Sequence, residues 1–259
     1  KRVKNMIKCK KSVVIVLIIA IVCMIITIVC FSNNNNQNFQ NDDEKNKINF
    51  EDNTLKNEEQ LNLIIENKNL WYKDNEFDKY SYAVTDLDQN GRIEIISSIC
   101  QGTGIYTYTE IYEVNENIDG LDLCESDLME YDSQADIIKN NWKVFYDNIN
   151  NKYHYIFDDL TKNGATEYYE NKRDFCLSDG KISEKYLVRK NTIYQNSIPN
   201  VTCTDLNDNV IDEEQYNNFE DKYFEDFEKM KVNIEWLSNY NEIKFEGLKD
   251  SYDNFVIYN

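Results

Sequence analysis

The chain has 259 residues and carries 47 Asp and Glu against 28 Lys and Arg, a formal net charge of −19. So acidic a surface excludes nucleic acid as a partner and disfavours anionic lipid head groups. A single His leaves one candidate for any catalysis that needs an imidazole.

Residues 1–12 are basic, with Lys1, Arg2, Lys4, Lys8, Lys10 and Lys11, and Val13 to Phe31 then run without a charge. At ~1.5 Å per helical residue that run spans roughly 29 Å, the thickness of a bilayer core. We therefore expect a cytoplasmic tail at 1–12, a transmembrane anchor at 13–31 and everything beyond it outside, by the positive-inside rule. Two rivals share the pattern. A cleavable signal peptide also begins basic and apolar, although no small-x-small site follows Phe31. A lipoprotein signal is suggested by "AIVC" ending at Cys23, with Val22 bulkier than such processing favours.

Residues 32–56 are polar, Asn-rich and poor in apolar side chains, so they cannot bury enough surface to offset ordering entropy. They read as a disordered tether reaching on the order of 25–30 Å. Residues 57–259 are then one extracytoplasmic domain, and everything beyond the six N-terminal cations carries 22 basic against 47 acidic residues.

Within that domain, Leu61, Ile64, Ile65 and Leu70 share one face of a helix expected at about 57–70. Strands rich in Tyr, Ile, Val and Thr follow at 80–85, 93–100 and 105–114. "WKVFYDNINNKYHYIFDDL" reads as a hairpin turned at Asn148 to Asn151, and a meander continues with a turn at Ser178-Asp179-Gly180. Asp212 and Gln215 have capping-box spacing, and Tyr216, Phe219, Tyr223, Phe227 and Met230 continue as a core-packing stripe at helical period. A short helix is expected around Phe245 to Phe255. The fold class is α+β: an antiparallel, sheet-rich domain with a duplicated strand-loop-strand unit and flanking helices, behind one transmembrane helix.

The chemistry concentrates in "YSYAVTDLDQNGRIEIIS", residues 80–97. Counting from Asp86, oxygen-bearing residues fall at positions 1, 3 and 5 (Asp86, Asp88, Asn90), Gly91 at 6 permits a sharp turn, and Glu94 stands at 9. Arg92 at 7 would offer its backbone carbonyl. Alternate oxygens on a curled loop suit Ca²⁺, a hard cation that takes six to eight oxygens at ~2.3–2.6 Å. The rival is an Asx-rich hairpin turn without metal. Mutual repulsion of three converging carboxylates weighs against it, and we expect a weak calcium site.

Position 12 is Ser97 and strands flank the loop, so it departs from an EF-hand. It resembles instead the strand-loop-strand calcium sites of FG-GAP and integrin-type repeats, in which an acid at position 9 closes the shell. The longer stretch from Tyr82 to Val114 also resembles membrane-anchored surface proteins of low-GC Gram-positive bacteria. That resemblance implies an anchored surface location and no particular activity.

"YHYIFDDLTKNGATEYYE" repeats the loop pattern downstream at Tyr153, Tyr155, Asp159, Leu160, Asn163, Gly164 and Glu167, with Thr161 in place of Asp88 and Lys162 beside it. This is the duplication, and its second copy is expected to bind calcium poorly or not at all. "TDLNDNV" from Thr204 has similar offsets but Val210 where Gly is needed, and reads as a hairpin leading into the capped helix.

Other chemistry is sparse. Cys100, Cys124, Cys176 and Cys203 permit three full disulfide pairings or buried thiols, and no CxxC or Cys-His cluster points to zinc. A sortase-like Cys203–His154 site lacks the arginine that should follow the cysteine, and His154 reads as structural. "QGTG" at 101–104 reads as a turn, not a phosphate cradle. Two function classes result. The preferred one is a membrane-tethered binding or interaction module for an extracellular ligand or protein, stabilised by calcium. The alternative is a cell-envelope hydrolase using two carboxylates ~5–9.5 Å apart.

Overall fold

Sequential antiparallel strands joined mostly by short turns are the skeleton of the described residues. In the computed structural model the described residues are 56–74, 79–103, 105–126, 137–138, 142–238 and 242–259. The expected tail, anchor and tether at 1–55 lie outside them. Residues 56–259 form one compact unit.

The first sheet has five strands in the order β13-β1-β2-β3-β4, formed by Ser81–Thr85 (β1), Glu94–Gln101 (β2), Tyr106–Val114 (β3), Leu121–Leu123 (β4) and Leu237–Ser238 (β13). The three strands expected here fall within a residue or two of their observed bounds. A second sheet is built on three long strands, Lys152–Asn163 (β7), Glu167–Ser178 (β8) and Lys181–Gln195 (β9). Lys143–Asp147 (β6), Glu228–Asn233 (β12) and Val256–Tyr258 (β14) extend it on one side, and Ile198–Asp205 (β10) and Val210–Ile211 (β11) on the other. All pairings are antiparallel except Glu125–Ser126 (β5), which runs parallel to β9.

Period-2 alternation sorts the side chains into layers. Ile96 of β2, Ile111 of β3, and Val144, Tyr155 and Phe157 of β6 and β7 meet in the core between the sheets, joined by Leu87 and Phe175. The opposite face of the first sheet, with Tyr82, Val84, Ile93, Ile95 and Tyr112, packs on Leu61, Ile64 and Trp71 and on Leu248 of the Phe245–Asp253 helix. The outer face of the second sheet, with Phe145, Ile156 and Leu187, is covered by Phe224 and Phe219 at the end of the Glu213–Tyr223 helix. The order is helix, sheet, sheet, helix. β2 is buried on both faces from Glu94 to Ile99, so its polar Glu94, Ser97 and Ser98 lie in the interior with its isoleucines.

Local signals held where local chemistry decided the geometry. Turns fall at 148–151 and 179–180, and Asp212 caps the Glu213–Tyr223 helix in a complete capping box with Gln215. Two helical stripes need correction. The N-terminal helix spans 56–66, and a separate turn at Lys68–Trp71 rotates the chain, so Trp71 is buried while Leu70 stays 38% exposed. The stripe from Tyr216 ends at Tyr223, and Met230 lies in β12, where pairing with β6 replaced helical hydrogen bonds. Among the described residues no disulfide forms: Cys124, Cys176 and Cys203 are buried thiols and Cys100 is a half-buried one. Among the described residues no helix is long and apolar enough to cross a membrane.

Candidate metal centre

The connection between β1 and β2 is the eight-residue loop 86–93, bracketed by the pair Thr85 and Glu94. Gly91 adopts φ +81°, the left-handed conformation that the turn requires. The loop is stitched by Asx bonds: Gly91 N–H donates to Asp86 Oδ2 (3.2 Å), Asn90 N–H to Asp88 Oδ1 (3.3 Å) and Arg92 N–H to Asn90 Oδ1 (2.6 Å). These bonds curl the chain so that its acids converge.

Asp86, Asp88 and Glu94 each bring one carboxylate oxygen within 4.8 Å of the other two. Oxygens on opposite sides of one calcium ion stand roughly 4.6–5.2 Å apart, twice the usual Ca–O distance, so the spacing suits a single cation. Glu94 has no exposed surface. Its Oε2 accepts from the Thr85 hydroxyl (2.9 Å) and the Leu87 N–H (2.8 Å), but its Oε1 accepts no hydrogen bond, nor does the buried Oδ1 of Asp86. Two buried acceptors left over in one acidic cluster are costly unless a cation or proton answers them. The donor set, all carboxylate oxygens, fits a hard metal ion.

The electrostatics agree. Burial pushes the Asp86 carboxyl up to about 6, with the charge of Asp88 adding to it. Burial and the charge of Asp86 hold Glu94 well above the usual carboxylate range, and burial also raises Asp88. These are groups that resist ionising without a counter-charge.

The remaining expected ligands sit differently. Asn90 lies on the loop with its Oδ1 engaged by Arg92 N–H and its Nδ2 donating to Asp88 and to Glu113 Oε1 (2.8 Å). The Arg92 guanidinium turns to Glu113 Oε2 at 2.9 Å, so its side chain neutralises Glu113 and leaves only its backbone for the cluster. Sequence reasoning missed three supports. Glu113 reaches in from β3, opposite Glu94. Asp179, in the β8–β9 turn, donates its N–H to Asp88 Oδ2 at 3.3 Å. Gln60, fully buried on the 56–66 helix, donates to the Gly91 carbonyl (3.0 Å) and accepts from Ile93 N–H (2.9 Å). The only sequence hint is a polar residue beside the apolar face of a helix.

The second copy of the pattern does not make such a loop. β7 and β8 pair through Asn163 and Glu167, so their connection is only residues 164–166. Asp159 lies within β7, buried, and forms an ion pair with Arg173. The third look-alike is an Asx turn at Asp205, whose Oδ1 accepts from Asn207 and Asn209 N–H, leading into the capped helix.

His154 Nδ1 lies 3.0 Å from both oxygens of Asp174, and its ring packs on Phe224 and Phe227. Cys203 of β10 is separated from β7 by β9 and β8, and its row of the sheet meets β7 at Leu160, about 20 Å along the strand from His154. Burial raises the Cys203 thiol as well. The two side chains form no catalytic pair. No protein-family model, curated protein or solved structure matches the chain.

Proposed function

We propose that residues 57–259 form an extracytoplasmic binding module, tethered to a membrane through 13–31 and stabilised by a calcium ion at the β1–β2 loop. Asp86, Asp88 and Glu94 supply carboxylate oxygens, Asn90 its side-chain oxygen and Arg92 its backbone carbonyl. The observation that carries this reading is the pair of buried oxygens without hydrogen bonds, Glu94 Oε1 and Asp86 Oδ1, within one cluster of three acids. Calcium is favoured over magnesium because an irregular loop of side-chain and carbonyl oxygens tolerates its flexible geometry, whereas magnesium demands a near-ideal octahedron at ~2.0–2.1 Å. The loop's resemblance to FG-GAP and integrin-type sites belongs to the same reading, and the repeated pattern at 153–170 is read as a duplicate whose connection has closed to a tight hairpin.

Two features support binding over hydrolysis. Glu94 has no exposed surface, so a polymeric substrate has no route to it as a general acid. The ends of the long hairpins present Ile193, Tyr194 and Ile198 to solvent, with Tyr168 edge-on to Tyr194 at 5.8 Å, a surface suited to an extracellular ligand or protein.

With waters completing the shell, affinity is expected on the order of 10⁻⁴ to 10⁻³ M. Calcium at about 100 times that constant should add about 2.7 kcal/mol to stability. Thermal unfolding of 57–259 in chelator and in excess calcium, for wild type and Asp88→Ala, tests the site. A rise confined to wild type supports it, and identical curves in every condition reduce the loop to a polar turn. The anchor is tested separately. The protein should fractionate with membranes and lose its domain to protease added to whole cells, and recovery in the cytosol would sink it. Cys23→Ser abolishes processing only if the lipoprotein alternative holds.

A further inference from the structure

We infer that Gln60 is a positioning residue of the metal centre, fixing the Arg92 carbonyl toward the ion and thereby coupling calcium binding to the docking of the 56–66 helix. This rests on the calcium reading above and adds a second element to it. Gln60 lies 31 and 33 residues from its partners and has no exposed surface. Its two bonds grip the peptide units on either side of Arg92. The Gly91 carbonyl receives Gln60 Nε2 at 3.0 Å while the N–H of that same peptide goes to Asn90 Oδ1 at 2.6 Å, so this unit is held from both sides.

The next peptide joins Arg92 to Ile93, and its N–H donates to Gln60 Oε1 at 2.9 Å. In a planar trans peptide the N–H and C=O point in opposite directions. An N–H directed at the helix therefore sends the Arg92 carbonyl away from it. The guanidinium is drawn aside to Glu113, so the backbone oxygen is what Arg92 can offer a cation in the loop. An amide side chain suits this task because one group both donates and accepts, and neither a carboxylate nor an ammonium can do so.

The helix itself is seated by Leu61 and Ile64, packed against Ile93, Ile95 and Tyr82. The same hydrogen bonds that orient the carbonyl are thus made only when the helix is docked. By linkage, an ion that prefers the oriented carbonyl must also favour the docked helix.

The test uses the full chain with calcium, and with terbium as a luminescent substitute whose decay in H₂O and D₂O reports bound waters. Gln60→Met keeps the side-chain volume but not the bonds. We expect calcium affinity to fall roughly 10- to 100-fold, as when a group orienting a ligand is removed. Terbium should gain about one bound water, replacing one of its oxygens. Leu61→Ala, which weakens the same helix without touching the loop's hydrogen bonds, should leave the hydration number of the folded protein unchanged. Should Gln60→Met fail to fold, hydrogen exchange on wild type decides: calcium must slow amides at 56–66 more than those of the Glu213–Tyr223 helix on the far layer. Wild type that binds calcium while Gln60→Met retains affinity and hydration, or equal slowing of both helices, overturns the coupling alone. Wild type without any calcium or terbium response overturns the metal reading, and the coupling with it.

Discussion

Glu94 and Asp86 make the site's pH dependence predictable in sign. Burial, then the neighbouring acid, raises both carboxyls, Asp86 to about 6. In chelator the folded domain therefore holds protons that an unfolded chain, with carboxyls near ~4, releases. For Asp86 this contribution to stability is fully present below pH ~4 and is lost as pH rises through about 6, and for Glu94 it is lost as pH rises through that group's own raised value. Bound calcium reverses the preference, because it needs both groups ionised. The calcium-induced rise in melting temperature should thus be larger at about pH 7.5 than at about pH 5. Glu94→Gln should flatten the pH slope in chelator, raise chelator stability at pH 7.5 by removing a buried charge, and erase the calcium response. A variant that keeps that response would remove Glu94 from the shell.

The loop as an element depends on one backbone conformation. A Cβ at Gly91 would meet nothing within 4 Å, so Gly91→Ala isolates the cost of φ +81° from any clash. We expect a loss of ~1–2 kcal/mol, the penalty of a left-handed conformation for an L-residue, read as a lower denaturant midpoint at unchanged slope. An unchanged midpoint would mean that the loop relaxes to another turn. The contrast with the β7–β8 connection is instructive. Both segments carry Asp, Asn, Gly and Glu in the same order. In β7 the cross-strand ladder runs through to Asn163 and Glu167, and Arg173 supplies Asp159 with a counter-charge. A single internal cation removes the reason to gather carboxylates, so the same pattern closes as a tight hairpin.

At the scale of the whole molecule, the 86–93 loop is where the two sheets meet. Asp88 takes an N–H from the β8–β9 turn, and Tyr155 of β7 donates its hydroxyl to the Leu87 carbonyl at 2.5 Å. Both Tyr155 and Leu87 are fully buried in the core between the sheets. Tyr155→Phe leaves that carbonyl without its donor and should cost about 1–3 kcal/mol, in chelator and in calcium alike. Equal stability of the variant and wild type would show that packing of Leu87, not the hydroxyl bond, joins the sheets.

The sequence by itself determined the hairpins, their turns, the capping box and the acidic trio, because each is written in residues a few positions apart. Alternation of Tyr, Ile and Val defines a strand, Asp and Gly define its turn, and odd-numbered acids on a curled loop converge wherever the loop is placed. Tertiary structure alone decided what lies across the chain. Nothing local to Gln60, Glu113 or Asp179 reveals that they close around the loop, since their partners are 23 to 91 residues away. Nor does helical periodicity foresee that Met230 joins a strand, because a ladder on β6 offers hydrogen bonds that a lone helical turn cannot match. Short-range chemistry placed the oxygens on one loop; the burial that raises their proton affinity and leaves two of them without donors is a property of the packed sheets.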